Sequence, residues 1–361
     1  MTPNGKQPCV IFDCHHPKHF LAIRRLGELC RNRGIKPIWT IQDKDVLATL
    51  IREHGYEPHI LATAQKGLLR KLGELAVYDW RLARLALHER PLALIGKTVS
   101  LAQVGWLLGI PGLLINDDSA AGNPQYRYLA CPFARRVITA ECLGEDYGAK
   151  QRTYAGLMEL AYLHPDAFSP DPGIRDELGV GRDERLFLIR LAAFDAYHDV
   201  GGQGLPRALL ERLIQRLEAE GRVFIVSEEP LPGSLARFRL PTPAARLHHV
   251  IAACDLVLGD GRTVCVEAAL LGVPAIAVRS DIDKYSYTEV IEKRFGLMFG
   301  FTPDHENELV GCVESLLHRP GIKEEWRGKH EVMLREWGDP TDVYWEELCA
   351  AIAPALERCP A

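Results

Sequence analysis

Short, almost wholly apolar runs recur along the chain. Each is followed by a longer stretch in which apolar residues return every three or four positions. Residues 9–12, 38–40, 92–95, 113–115 and 137–139 belong to the first kind. A strand covered on both faces is continuously apolar rather than alternating, so these runs are expected to be buried parallel strands. Residues 18–33, 66–89 and 98–108 lie between them with helical spacing, which makes the first half a βαβ array. The segment 164–173, His-Pro-Asp-Ala-Phe-Ser-Pro-Asp-Pro-Gly, continues neither helix nor central strand, because proline removes donors and fixes φ. It is expected to be the domain linker. Beyond it, strand-like runs at 186–191, 223–226, 256–258 and 275–278 alternate with helical stretches at 206–218, 244–253 and 263–271, giving a second doubly wound sheet. In the tail, Val343, Trp345, Leu348, Ile352 and Leu356 recur at roughly helical spacing between residues 341 and 356, which predicts an amphipathic helix, with Pro354 placed to kink its end. The expected organisation is an N-terminal Rossmann-like domain over 1–165, a C-terminal one over 166–335, and a helix within 336–361 crossing back onto the first, with a central cleft as the default site.

Composition narrows the classes. A chain of 361 residues, 47% hydrophobic and 25% charged, can bury two cores and excludes disorder. Its 43 basic and 48 acidic residues leave a net charge of −5, without general attraction for nucleic acid or anionic lipid. The ten cysteines contain no Cys-x-x-Cys pair and sit in apolar segments, a pattern of reduced thiols that points to the cytoplasm. The first ten residues lack the pattern of a signal peptide, and no apolar run reaches the ~18 residues of a membrane span. A lipid substrate would be met peripherally, from the membrane surface.

Residues 253–278 read strand, glycine-containing turn, apolar helix, Gly-Val-Pro turn, strand. A turn at the carboxyl end of a strand that opens a helix offers free N–H groups and the positive end of the helix dipole, so Gly261, Arg262 and Thr263, after Asp260, suit a phosphate. Many such turns bind nothing. Glu267 is more telling: it stands among Val264, Val266, Ala268, Ala269 and Leu270, where a carboxylate needs a specific partner. A capping box does not explain it, since three residues after Thr263 comes Val266. A ligand contact and a buried ion pair both remain open.

Residues 247–278 resemble the donor-binding half of GT-B nucleotide-sugar enzymes. They are similar to the N-acetylglucosaminyltransferase that makes the lipid-linked peptidoglycan precursor and to the non-hydrolysing UDP-N-acetylglucosamine 2-epimerases. The resemblance implies a GT-B fold, and it gives Glu267 the role of accepting hydrogen bonds from a ribose diol. A wider resemblance, carried by residues 12–20, 157–172 and 259–274, is to the domain of unknown function 354 family, itself GT-B-like. Where the transferases place a glycine-rich phosphate loop, this chain has Arg190-Leu191-Ala192-Ala193-Phe194-Asp195. Arg190 can supply charge in its place, and an ordinary surface arginine fits equally well.

On the acceptor side, Asp13, His15, His16 and His19 follow the first strand, where open α/β sheets bind ligands. Pro17 interrupts the histidine spacing, so a general base, His16 or His19, is a better reading than a metal site, and a structural role for either stays open. Asn116-Asp117-Asp118-Ser119 follows another strand and resembles the acidic turn of the transferases. Asp117 or Asp118 can act as base or hold the acceptor, and helix capping rivals both. Lys97-Thr98 carries the same ambiguity. Asp281-Ile282-Asp283 spells a short metal-binding motif, but no catalytic metal is expected in a GT-B site; there the resemblance puts Asp283, Lys284 and Tyr285 beside the donor sugar. His248 and His249 are weaker candidates, bordering the nucleotide base in the related enzymes. The expected function is metal-independent transfer of a sugar from a nucleotide sugar, UDP-linked by resemblance, to a polysaccharide, lipid-linked or small acceptor, with no further cofactor. The alternatives are a nucleotide-sugar epimerase and a catalytically silent nucleotide-sugar binding protein.

Overall fold

The computed structural model describes residues 6–43, 45–63, 68–117, 124, 126–192, 205–227, 230–282 and 286–357. The chain divides into two compact units, Met1–Tyr162 with Asp339–Ala361, and Leu163–Gly338.

The first unit is built on β1 (Cys9–Cys14), β2 (Lys36–Asp43), β3 (Pro58–Thr63), β4 (Leu94–Gly96), β5 (Gly112–Asn116), β6 (Arg136–Ala140) and β7 (Gln151–Tyr154). All pairings are parallel and the order is β3-β2-β1-β4-β5-β6-β7. Side chains leave β1 to both faces, which is why its sequence is uninterrupted. Cys9 and Ile11 enter one core with Leu82, Leu101 and Val104, while Phe12 stacks on Trp39 at 4.7 Å. The helix Pro17–Asn32 covers this second face with Phe20, Ile23, Leu26 and Cys30. Gly27 lets it come close, since a Cβ there would lie 2.8 Å from the Trp39 ring. The last helix, Thr341–Leu356, packs on Pro17–Asn32 and runs through Pro354 without ending. It buries Tyr344, Leu348 and Ile352, and the Tyr344 hydroxyl donates to that of Tyr154 at 3.0 Å.

The second unit contains β8 (Arg185–Leu191), β9 (Gly221–Ser227), β10 (Leu256–Gly259), β11 (Ala275–Val278) and β12 (Met298–Phe301), all parallel in the order β12-β11-β10-β8-β9. Its helices Arg207–Glu218, Leu247–Ala252, Arg262–Leu270, Glu306–His318 and Ile322–Glu336 complete the layers. Both sheets are of the doubly wound kind, with strand order reversing between β1 and β4 in one unit and between β8 and β10 in the other. Ligands of such sheets bind at the carboxyl ends of the strands at that reversal.

The hydrophobic pattern leaves three strands unread: β3, β7 and β12. All three are sheet edges. In β7 only Tyr154 is buried and in β12 only Met298, so these edges lack the buried run of a central strand, which β9, the remaining edge, keeps in Val223, Phe224 and Ile225. The nine described cysteines are free thiols.

Candidate functional site

The two reversal points are built alike. In the first unit Gly96 ends β4 opposite Asp13, and a Cβ there would lie 1.9 Å from the Asp13 carbonyl oxygen. In the second, Gly259 ends β10 opposite Arg190, with a Cβ falling 2.0 Å from the Arg190 carbonyl. Only glycine permits that approach. Just past each glycine, the chain turns over the end of the neighbouring strand, with Lys97 N–H donating to Asp13 O at 3.3 Å and Asp260 N–H to Arg190 O at 3.1 Å.

At the first reversal point Asp13 is fully buried, and three hydroxyls converge on its carboxylate: Thr40 at 2.7 Å, Tyr78, and Thr98. Thr98 also caps the next helix by accepting from Leu101 N–H at 3.1 Å. Asp13 is thus tied into the scaffold rather than presented at the surface. Outside it lies a charged cluster. Lys18 pairs with Asp117 at 2.6 Å and with Glu159 at 2.9 Å, and Lys97 pairs with the other oxygen of Asp117. Lys97 and Glu159 are buried. Two ammonium groups thus balance two carboxylates, which is what allows them below the surface. Asp117 is therefore ion-paired, while Asp118 lies outside the described residues.

The histidines frame this cluster. His16 is exposed and caps the helix Pro17–Asn32, its Nδ1 accepting from Lys18 N–H at 3.2 Å. The His15 ring meets Tyr78 edge-on at 4.7 Å, and His19 lies 5.7 Å from His16, centroid to centroid. His19 Nδ1 is buried and makes no hydrogen bond among the described residues. Burial first, and then the positive fields of Lys97, His16, Lys18 and His15, hold His19 well below the usual imidazole range. It is a neutral imidazole at neutral pH.

At the second reversal point both oxygens of buried Asp260 are taken by backbone: Ala192 N–H donates at 2.6 Å and Leu205 N–H at 3.3 Å. Burial raises its pKa, offset in part by those bonds and by Arg190 and Arg279. This carboxylate shapes the turn. The side chain of Arg190 crosses Gly261, where a Cβ would lie 2.4 Å from Arg190 Cγ, and its guanidinium donates to Leu191 O at 2.6 Å. Arg262 and Thr263, both half-buried, open the helix Arg262–Leu270 with Gly261 as its N-cap. Asp281 forms a two-pronged pair with buried Arg279, at 2.7 and 3.0 Å, and Arg279 also donates to Asp260 O at 3.1 Å. Burial alone would raise Asp281; Arg279 and Arg262 hold it below the carboxylate range. The short acidic motif is thus one half of an ion pair, and Asp283, Lys284 and Tyr285 lie outside the described residues. Among the described residues no three His, Cys, Asp or Glu side chains converge as metal ligands.

Glu267 is buried, 5% exposed, one helical turn beyond Thr263. Its Oε1 faces His248 Nε2 at 3.2 Å. His248 comes from the preceding helix, and Phe168 and His249 pack on each other beside it at 4.8 Å. Cys265, in the same turn, is pushed up to about 12 by burial and is no nucleophile. Sequence reasoning missed Glu159 and gave His248 little weight. Glu159 carries the same signal as Glu267, a lone carboxylate inside the apolar run 157–163. The partnership of His248 with Glu267 spans 19 residues and has no local signature.

The structure resembles MnaA of S. aureus, solved with UDP, at a TM-score of 0.68 and 11% identity over 99% of each chain. It also resembles UDP-GlcNAc 2-epimerase from Neisseria meningitidis bound to UDP-GlcNAc, at 0.64 and 11% identity over 96% of this chain and all of that one. A third likeness is to the spinosyn rhamnosyltransferase SpnG complexed with thymidine diphosphate, at 0.60 and 14% identity over 94% and 100%. At these identities the likeness is one of fold, and the fold is GT-B. Among curated proteins none matches the sequence. The family model described as protein of unknown function (DUF354) matches residues 10–352, and the chain belongs to that family.

Proposed function

We propose that the protein is a metal-independent glycosyltransferase that binds a nucleotide sugar, UDP-linked in the first instance, at the carboxyl ends of β8 and β10. The observation that carries this reading is Glu267. It is a buried carboxylate in the helix that opens just past the reversal point, and its Oε1 lies 3.2 Å from the Nε2 of half-buried His248. In this reading Glu267 accepts the ribose hydroxyls, His248 fixes its rotamer, and the N-terminus of the helix Arg262–Leu270 with Arg262 and Thr263 receives the diphosphate. Asp260 and Gly261 shape the turn, and Arg190 adds positive charge.

At the first unit's reversal point His19, kept neutral, serves as the base. The acceptor oxygen attacks the anomeric carbon, the bond from that carbon to the diphosphate breaks, the hydroxyl proton passes to the imidazole, and the nucleoside diphosphate leaves. Asp13 and the cluster of Lys18, Lys97, Asp117 and Glu159 act by positioning. Charge development on the leaving diphosphate is met by the helix N-terminus, so no metal ion enters the scheme.

The test is release of nucleoside diphosphate from a panel of nucleotide sugars with and without candidate acceptors: polysaccharide fragments, lipid-linked saccharides and small alcohols. Transfer gives release that depends on the acceptor. A new sugar configuration in the NMR spectrum of UDP-N-acetylglucosamine incubated alone would replace transfer by epimerisation, and nucleotide-sugar binding without turnover would leave a binding protein.

A further inference from the structure

Eleven large apolar side chains are strongly exposed among the described residues, and seven of them share one layer of the first unit. Val77, Trp80 and Leu87 lie on the helix Leu68–Glu89, Trp106 and Leu107 on Val99–Leu108, and Tyr128 and Leu129 on the π-helical turn Tyr126–Ala130. These three elements pack side by side: the two helices touch, and Gln103 donates to Leu129 O at 2.9 Å while Trp106 meets Phe133 at 5.4 Å. Inward, Tyr78, Leu82 and Ala86 fill the core. Outward, Val77, Trp80, Arg84 and Leu87 form a stripe at intervals of three and four residues, with Arg81 beside it. Single exposed apolar residues are ordinary, but seven on three elements packed side by side mark a contact surface.

Charge says what it contacts. Arg84 is exposed on the stripe with its guanidinium 5.5 Å from the Trp80 ring, and Arg81, exposed beside it, donates from one guanidinium nitrogen to Leu61 O at 2.6 Å. The carboxylates of the same helix are turned away or neutralised. Glu74 takes the Gln42 amide, Asp79 is half-buried near Ser100, and Glu89 lies by Lys36 and His88. Val99–Leu108 carries no charge at all, and Arg127 of the π turn pairs with Glu145 at 3.0 Å. The layer is therefore apolar, rich in tryptophan and tyrosine, and locally positive on a chain of net charge −5. Indole and phenol rings favour the headgroup level of a bilayer, and exposed arginines among them favour anionic lipid. A second copy of the chain suits the layer less well, since two-fold pairing brings Arg81 and Arg84 of both copies to the same face. No helix among the described residues is long and apolar enough to cross a membrane, so contact would be from the surface.

The geometry points to this layer as a docking surface for an anionic lipid bilayer. The test is co-sedimentation of the full chain with phosphatidylcholine vesicles, with and without phosphatidylglycerol. Binding is expected to the anionic vesicles only, weakened by salt. Arg84→Gln is expected to lower the partition coefficient about fivefold, and Trp80→Ser with Leu107→Ser to abolish most of it. These side chains are exposed, so the variants keep the wild-type circular dichroism and the same stabilisation by UDP. Equal partitioning to neutral vesicles, indifference to the substitutions, or no partitioning at all would overturn the proposal. So would a dimer that Trp80→Ser dissolves while vesicles are ignored.

Discussion

At the scale of single residues, the sequence shows an ionisable group in an apolar run but not what it faces. Glu267 stands out among its neighbours, and the structure indeed buries it against His248. Asp13, Asp117 and Asp260 look equally reactive on paper, yet their oxygens are held by three hydroxyls, by two lysines and by two backbone N–H groups respectively. Those partners come from elements distant in sequence, which is why one line of sequence does not display them. Two expectations follow. Asp117→Ala leaves Lys18 and Lys97 with one carboxylate between them, and should lower the unfolding free energy by about 3 kcal/mol in a urea titration; a change within about 0.5 kcal/mol would mean that the cluster is loose. For His19, whose folded pKa is depressed, the neutral form persists below the ordinary imidazole range. The expected profile of kcat/KM is thus flat through about pH 6.5 and falls only at lower pH. A midpoint at the ordinary value would remove His19 from the role of base. The sign for stability is the same: below the ordinary pKa the unfolded chain takes up the proton first, so stability is lost as pH falls toward the folded pKa.

At the scale of elements, central strands and the helices between them are legible because burial on both sides writes a continuous apolar run followed by a helical period. Edge strands without such a run are not, and β3, β7 and β12 escaped for that reason, whereas β9, also an edge, is legible through its buried Val223, Phe224 and Ile225. Helix ends are clear where chemistry marks them: Pro17 after the capping His16, Thr98 as a cap, and Gly109 in the left-handed conformation closing Val99–Leu108. The glycines at the strand ends carry no such label, since Gly96 and Gly259 matter through a neighbour that sequence does not identify. Gly96→Ala places a methyl against the Asp13 carbonyl and must push β1 from β4. The expected cost is about 2–4 kcal/mol, with a matching loss of thermal stability. An alanine variant as stable as the parent would show that the two strands are not locked there.

At the scale of the whole molecule, the alternation of runs and periods specifies a doubly wound sheet twice over, and the resemblance of residues 247–278 points to GT-B from sequence alone. The strand orders were not legible, because order depends on which crossovers skip a neighbour and not on any local pattern. The family's description names no activity, so function rests on the site. If the leaving diphosphate is stabilised by the helix N-terminus rather than by a cation, turnover should persist unchanged in excess chelator; abolition by chelator and recovery with a divalent ion would reverse that assignment.

The central claim is that the second unit holds a nucleotide sugar through Glu267, and thermal unfolding in the presence of nucleotides tests it most directly. UDP or a UDP-sugar at about 100 times its Kd should stabilise the folded protein by about 2.7 kcal/mol, which for a unit of this size raises the midpoint by about 5–10 °C. Glu267→Gln, which keeps the volume and removes the charge, should shift the ligand dependence to concentrations at least about tenfold higher. No stabilisation by any nucleoside diphosphate or nucleotide sugar, or the same stabilisation in Glu267→Gln, would contradict the account.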